Sequence, residues 1–360
     1  MLTFPLKPSS DLPQLLSNYS YYTNNTYQAI LSLNNTGQNL SLIVDTASSW
    51  LIISQNSIEN EEPECENEVI LTKIKGNKIE GKICKINFKF GSTVKNVQFF
   101  MSFQDFYQSH GVLGLGFSRL SNGYLPLVQQ MQENEFSLFI GKNVGSTSVL
   151  TIGGFSEDYG EEKISDINAY PHYGYWEVSI ENISMSNNKM NVFSFGILNS
   201  SSPALIFPEK IFEFILNEFQ NILECKQLEF IVCNVTGFNI TKLPNISFSI
   251  QSSEFVLPAS TFSYCTEDEC EFYITQNTGD NIILGLPFFL QFYLAFDLDL
   301  FLIQVYVSSS HAGSGAYYTL YIIGIIVLGV IVSIPLCFWM MLSKIKGVAD
   351  QSPEYQRLTN

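Results

Sequence analysis

The sequence predicts an all-β protein made of two similar halves and followed by one membrane-spanning helix. Three observations carry that prediction. Phe and Tyr are abundant, at 29 and 18 of 360 residues, while Ala is scarce and Arg119 and Arg357 are the only arginines. Such a composition favours strands and turns over helices. A pattern of apolar strand, small hydroxylated turn and second apolar strand occurs twice. From Ala312 to Ser343 no residue is charged. The formal net charge is −16, with charged residues at only 14%. That balance lacks the basic surface nucleic-acid binding requires, so no nucleic-acid partner is expected.

The repeat is read from two turns and the segments downstream of them. The first turn is Asp45-Thr46-Ala47-Ser48-Ser49, preceded by the alternating strand that begins at Leu40. The second is Asn199-Ser200-Ser201-Ser202-Pro203, preceded by the strand that begins at Phe193. Beyond the first lies Gly111-Val112-Leu113-Gly114-Leu115-Gly116-Phe117; beyond the second lies Ile282-Ile283-Leu284-Gly285-Leu286-Pro287-Phe288. Leu113 comes 68 residues after Asp45, and Leu284 comes 85 after Asn199. Two ordered matches imply two β-rich halves of like layout.

These motifs resemble the pepsin-like aspartic proteases. Asp45-Thr46-Ala47-Ser48-Ser49 is similar to that family's Asp-Thr-Gly-Ser-Ser loop, and the strand from Tyr27 to Leu33, then Gln38, precedes it at the family's spacing. Leu150 to Gly154 resembles the family's L-x-x-G-G segment, and Tyr175-Trp176 the pair that opens its second lobe. Leu243-Pro244-Asn245-Ile246-Ser247-Phe248, Ile283-Leu284-Gly285 and Phe296-Asp297 resemble its later motifs. The resemblance runs from about Tyr27 to Ser308 and implies two β-lobes with a peptide cleft between them. It implies an aspartic-type endopeptidase acting on peptides or proteins, with no metal and no cofactor.

In that chemistry a water lies between two carboxylates. Like charges about 3 Å apart cannot both ionise, so the pair shares one proton. The ionised member acts as general base on the water, and the protonated member donates to the scissile carbonyl. Asp45 takes the first position, with Thr46 and Ser48 expected as its hydroxyl partners. Asn199 stands where the family has its second Asp, with Ser200 next to it. An Asn can donate and accept hydrogen bonds but cannot exchange a proton. Peptide binding is therefore expected to survive while hydrolysis is impaired by roughly 10²–10⁴-fold.

Two further departures bear on this. The family's flap carries a Tyr seven residues before a Gly. With Gly81 as that Gly, Ile74 occupies the Tyr position, and no Tyr occurs between Val69 and Phe100. Lys73, Lys75, Lys78 and Lys82 crowd the same hairpin, most simply as a solvated face. Ala47 replaces the loop glycine, which is tolerable unless that residue needs a positive φ. Two other readings stay open: a working acid endopeptidase using Asp45 with another partner or a deamidated Asn199, and a non-enzymatic adhesion or sorting protein. His110, His172 and His311 show no metal spacing, and no Gly-x-Ser-x-Gly elbow or phosphate-binding loop is present.

The membrane segment reads from Tyr317 to Leu342, long enough at about 1.5 Å per residue to cross a hydrocarbon core of about 30 Å. Tyr317, Tyr318 and Tyr321 mark one interface, Trp339 the other, and Lys344 and Lys346 place the tail in the cytosol. The bulk is then lumenal or extracellular. Nine sequons, at Asn18, Asn24, Asn34, Asn39, Asn182, Asn199, Asn234, Asn239 and Asn245, all precede the span and fit a glycoprotein. Met1 to Leu6 has neither a charged start nor the apolar run of an import signal, so the sequence is expected to begin late or in processed form. Six of seven cysteines also precede the span, as disulfides would; Cys337 lies within it. The family resemblance suggests Cys233–Cys270 as the second-lobe bridge, leaving Cys225–Cys265 and Cys65–Cys84.

The expected organisation is an N-terminal segment at 1–24, lobes at 25–170 and 171–308, a stalk at 309–316, the span at 317–342 and a tail at 343–360. In the tail, Tyr355-Gln356-Arg357-Leu358 has the Tyr-x-x-hydrophobic form that clathrin adaptors read, with Tyr355 and Leu358 as the anchors. The expected location is a single-pass type I membrane protein of endosomal or vacuolar membranes or the cell surface.

Overall fold

The computed structural model describes residues 1–8, 26–74, 77–106, 108–142 and 147–309. Strands dominate them, as the composition implies. The α-helices among them are Leu127–Gln130, Glu209–Gln220 and Leu286–Gln291, and no helix of the described residues is long and apolar enough to cross a membrane. The segment 317–342, most of the expected stalk, and Tyr355 and Leu358 of the tail lie outside the described residues. Met1–Ser310 forms one compact unit.

The two halves share a sheet. Gly160–Asn168, Leu302–Ser308, Phe292–Asp297, Glu135–Phe139, Ser148–Ile152 and Leu2–Pro8 lie side by side in that order. Phe292–Asp297 comes from the end of the second half, yet its partner is Glu135–Phe139 of the first, with Phe136 opposite Phe296. Their rings stack at 4.6 Å. Leu2–Pro8, expected to belong to a separate N-terminal segment, pairs with both Ser148–Ile152 and Tyr27–Leu33.

Each half contains the same local device. Asn39–Asp45 runs parallel to Gly111–Gly114, with Asp45 opposite Gly114, and Leu51–Ser54 returns antiparallel on the other side of that middle strand. In the second half, Asn188–Leu198 runs parallel to Ile282–Leu284, and Leu205–Pro208 returns antiparallel. Leu40, Leu42 and Val44 alternate into the core at 0–1% exposure, which fixes the register. The turn in each half must cross the end of its middle strand at close range. A Cβ on Gly114 would sit 2.6 Å from the carbonyl carbon of Ser49, and one on Gly285 would sit 2.1 Å from the carbonyl oxygen of Ala204. Glycine is the residue that permits this approach.

The disulfides correct the expectation in part. Cys65 bonds Cys84, as expected, but the other bridges are Cys225–Cys233 and Cys265–Cys270. The reason is a four-stranded sheet in the order Glu224–Gln227, Ile231–Asn234, Glu269–Phe272, Ser263–Cys265. Its register sets Cys225 opposite Cys233, Cys233 opposite Cys270, and Cys270 opposite Cys265. The four cysteines form one row across the strands. A Cys233–Cys270 bond would leave Cys225 and Cys265 three strands apart, about 14 Å, beyond bonding reach. Pairing within each hairpin satisfies all four.

Candidate active site

The ends of the two parallel strand pairs bring the two turns together. The backbone N–H of Thr46 donates to the Ser200 hydroxyl at 3.1 Å, and the backbone N–H of Ser200 donates to the Thr46 hydroxyl at 3.0 Å. Each hydroxyl then donates across the interface to a carbonyl: Thr46 to Leu198 at 2.7 Å, Ser200 to Val44 at 2.8 Å. Thr46 and Ser200 are 0% and 5% exposed, so these bonds are buried and well satisfied. Thr46 is thus not the hydroxyl partner of Asp45 that the sequence suggests; it clamps the opposite turn. Ser48, the other expected partner, has a buried hydroxyl with no hydrogen-bond partner.

Asp45 is 2% exposed, and its Oδ1 accepts from the Ala47 backbone N–H at 2.9 Å. Ala47 is not among the residues with positive φ, so the replacement of glycine carries no backbone strain. Asn199 is half-buried and repeats the arrangement: its Oδ1 accepts from the Ser201 backbone N–H at 3.0 Å and from the Ser201 hydroxyl at 2.9 Å. A backbone N–H needs an oxygen in front of it, which fixes the amide orientation. The NH₂ of Asn199 is therefore the end turned away from its own loop. The site offers one carboxylate from the first turn and a permanent donor from the second.

The flap hairpin pairs Ile70–Ile74 with the start of Asn77–Phe90, and Ile74 opposes Asn77 next to the tip. Two residues earlier, Thr72 is 8% exposed and accepts from the indole N–H of Trp50 at 3.2 Å. Trp50 is 3% exposed and packs on Phe100 and Tyr124 at ring separations of 5.4 and 4.9 Å. Thr72 was missed by sequence reasoning, because its partner Trp50 lies 22 residues away in the chain. In the core, Trp176 is 0% exposed and donates its indole N–H to the Leu115 carbonyl at 2.9 Å. Beside it, burial lifts the Tyr175 phenol above its usual range, and the charges of Asp45 and Glu177 add to the lift. Burial also raises the Glu177 carboxyl, against a partial opposing pull from His172.

A β protein whose two halves each carry a tight hydroxyl-rich turn, one led by Asp45 and the other by Asn199, clamped to one another by paired hydroxyls, is in the class of bilobal aspartic proteases. Residues 76–305 match the model of the eukaryotic aspartyl protease family. The chain belongs to that family. It is 23% identical to pepsin A of Gallus gallus over 336 residues, covering 81% of this chain and 89% of that protein. It is 22% identical to pepsin A of Canis lupus familiaris over 332 residues, 82% and 83% of the two chains. A probable vacuolar protease A of Trichophyton verrucosum is 24% identical over 252 residues, 61% and 59% of the two.

Proposed function

We propose that this chain is a membrane-anchored, pepsin-like protein whose interlobe cleft binds peptides or protein segments while hydrolysing them poorly or not at all. The observation that carries this reading is Asn199 at the position that mirrors Asp45, with its Oδ1 held by Ser201. The NH₂ can donate to a peptide carbonyl, as a protonated carboxyl does, but it has no proton to give up and none to regain. Conversion of Asn199 to Asp by deamidation requires the Ser200 backbone nitrogen to attack the Asn199 side chain. That nitrogen is occupied by its bond to the Thr46 hydroxyl, which argues against an acid endopeptidase formed by this route.

The uncharged run at 317–342 supports a single-pass anchor with the two lobes lumenal or extracellular. The sequons support glycosylation on that side, and Tyr355 with Leu358 supports recognition by a clathrin adaptor and delivery to acidic compartments. The test uses the purified full chain in detergent with an unstructured protein at about pH 4, with and without a peptide transition-state mimic. The expected result is binding of the mimic without cleavage, and acid-dependent cleavage after Asn199→Asp that Asp45→Asn removes. Cleavage by the wild-type chain, lost in Asp45→Asn, would establish the working endopeptidase instead. Absence of mimic binding would favour a scaffold without a peptide cleft.

A further inference from the structure

Glu177 is a buried carboxylate that the dyad chemistry does not use. It is 2% exposed, yet its Oε1 has no hydrogen-bond partner, and its Oε2 faces the His172 Nδ1 at 3.6 Å. His172 itself is 60% exposed. Burying a carboxylate with half its hydrogen-bonding capacity unmet is costly. A glutamine would fill the same volume without the charge, so packing does not account for the residue.

Its place in the fold does. Glu177 lies opposite Ile197, two residues before Asn199 on the neighbouring strand. The Leu198 N–H donates to the Trp176 carbonyl at 3.0 Å, which ties the chain just before Glu177 to the strand that enters the second turn. Tyr175 lies in the bend that leads into the strand Glu177–Met185. Tyr175 also feels the charges of both Asp45 and Glu177, which puts the two carboxyls within electrostatic reach of one phenol. The His172 ring that faces Glu177 stacks with Tyr170 at 6.2 Å, and Phe195 meets the two at 5.6 and 5.8 Å.

We infer that Glu177 is a specificity-determining residue that selects peptides carrying a lysine or arginine side chain at the position beside it. The ligand's cation takes the place of the His172 imidazole on the carboxylate, and its aliphatic stem lies against Tyr170 and Phe195, as long basic side chains do on aromatic surfaces. His172 can leave at little cost because it is already exposed. This inference rests on the peptide-binding reading of the cleft.

The test is retention of a positional-scanning peptide library by the immobilised full chain, each position fixed in turn as lysine or norleucine, which keeps the stem and removes the charge. At one position the wild-type chain is expected to prefer lysine about 10- to 100-fold, the range of a charge-assisted hydrogen bond. Glu177→Gln should bring that ratio to about one while norleucine peptides bind as before, which also reports that the variant is folded. His172→Ala should keep the lysine preference. Equal retention of lysine and norleucine at every position, or a preference that survives in Glu177→Gln, overturns the inference. Failure to retain either kind of peptide overturns the peptide-binding reading itself, and this inference with it.

Discussion

Thr46 and Ser200, 154 residues apart, each donate a backbone N–H to the other's hydroxyl, at 3.1 and 3.0 Å. Four buried bonds, counting those to Leu198 and Val44, lock the two turns face to face. The clamp uses one Thr and one Ser, so it does not need identical side chains, only a hydroxyl on each turn.

Removing either hydroxyl leaves a buried N–H without an acceptor. Thr46→Val and Ser200→Ala should each lower stability by about 1–3 kcal/mol in urea unfolding of the purified chain. The double variant should cost less than the sum, with a coupling of about 0.5–3 kcal/mol. Strict additivity would show that the two turns are not energetically joined. Thr46→Ser, which keeps the hydroxyl, should stay near wild type.

The flap prediction rests on Thr72. Thr72→Val keeps the shape but strips the acceptor from the Trp50 indole N–H, a loss of about 1–3 kcal/mol for a buried donor. Amide exchange in Ile70–Ile74 should quicken, and the emission of Trp50 should shift as its surroundings change. Thr72→Ser, which keeps the acceptor, should leave both readouts near wild type.

Peptide mapping of the unreduced chain should recover Cys225 linked to Cys233, Cys265 linked to Cys270, and Cys65 linked to Cys84. Replacing the Cys265–Cys270 pair with serines should destabilise less than replacing Cys65–Cys84. The first closes 5 residues and the second 19, and in the chain-entropy account the longer loop gains more. The opposite order would mean that local packing, not loop closure, sets their worth.

Glu177 sets a pH dependence. Burial raises its carboxyl above the ordinary value of about 4.3, so the protonated form is the one folding favours. Its stabilising contribution is complete below that ordinary value and is lost as pH rises through the raised one. Glu177→Gln should therefore raise the melting temperature at pH 7 and change it little near pH 4. A variant equally displaced at both pH values would show that the charge is not what costs stability.

Much of the site was legible because it depends on residues close in sequence. Asp45 and Asn199 are marked by apolar strands entering hydroxyl-rich turns, and Gly114 and Gly285 by their place after the matching strands. What escaped depends on register between distant strands. Nothing local marks Thr72 as an acceptor; only the position of Trp50 does. The cysteine pairing failed for a related reason: Cys233 and Cys270 are indeed neighbours, but the row extends one strand further on each side. Glu177 has no motif at all, and its interest comes from burial.

The strand Glu135–Phe139 waits for its neighbour Phe292–Asp297, which is made much later in the chain. Until then it presents an open edge of backbone donors and acceptors, the kind of edge on which chains join each other wrongly. At a synthesis rate of about 5–20 residues per second, the gap between Phe136 and Phe296 lasts roughly 10–30 seconds. During biosynthesis the first half is thus a sheet with one raw side, and a ribosome stalled inside the second half would release a chain poised to aggregate. The shared sheet makes completion of the polypeptide, and not of either lobe, the moment at which the protein becomes safe in its compartment.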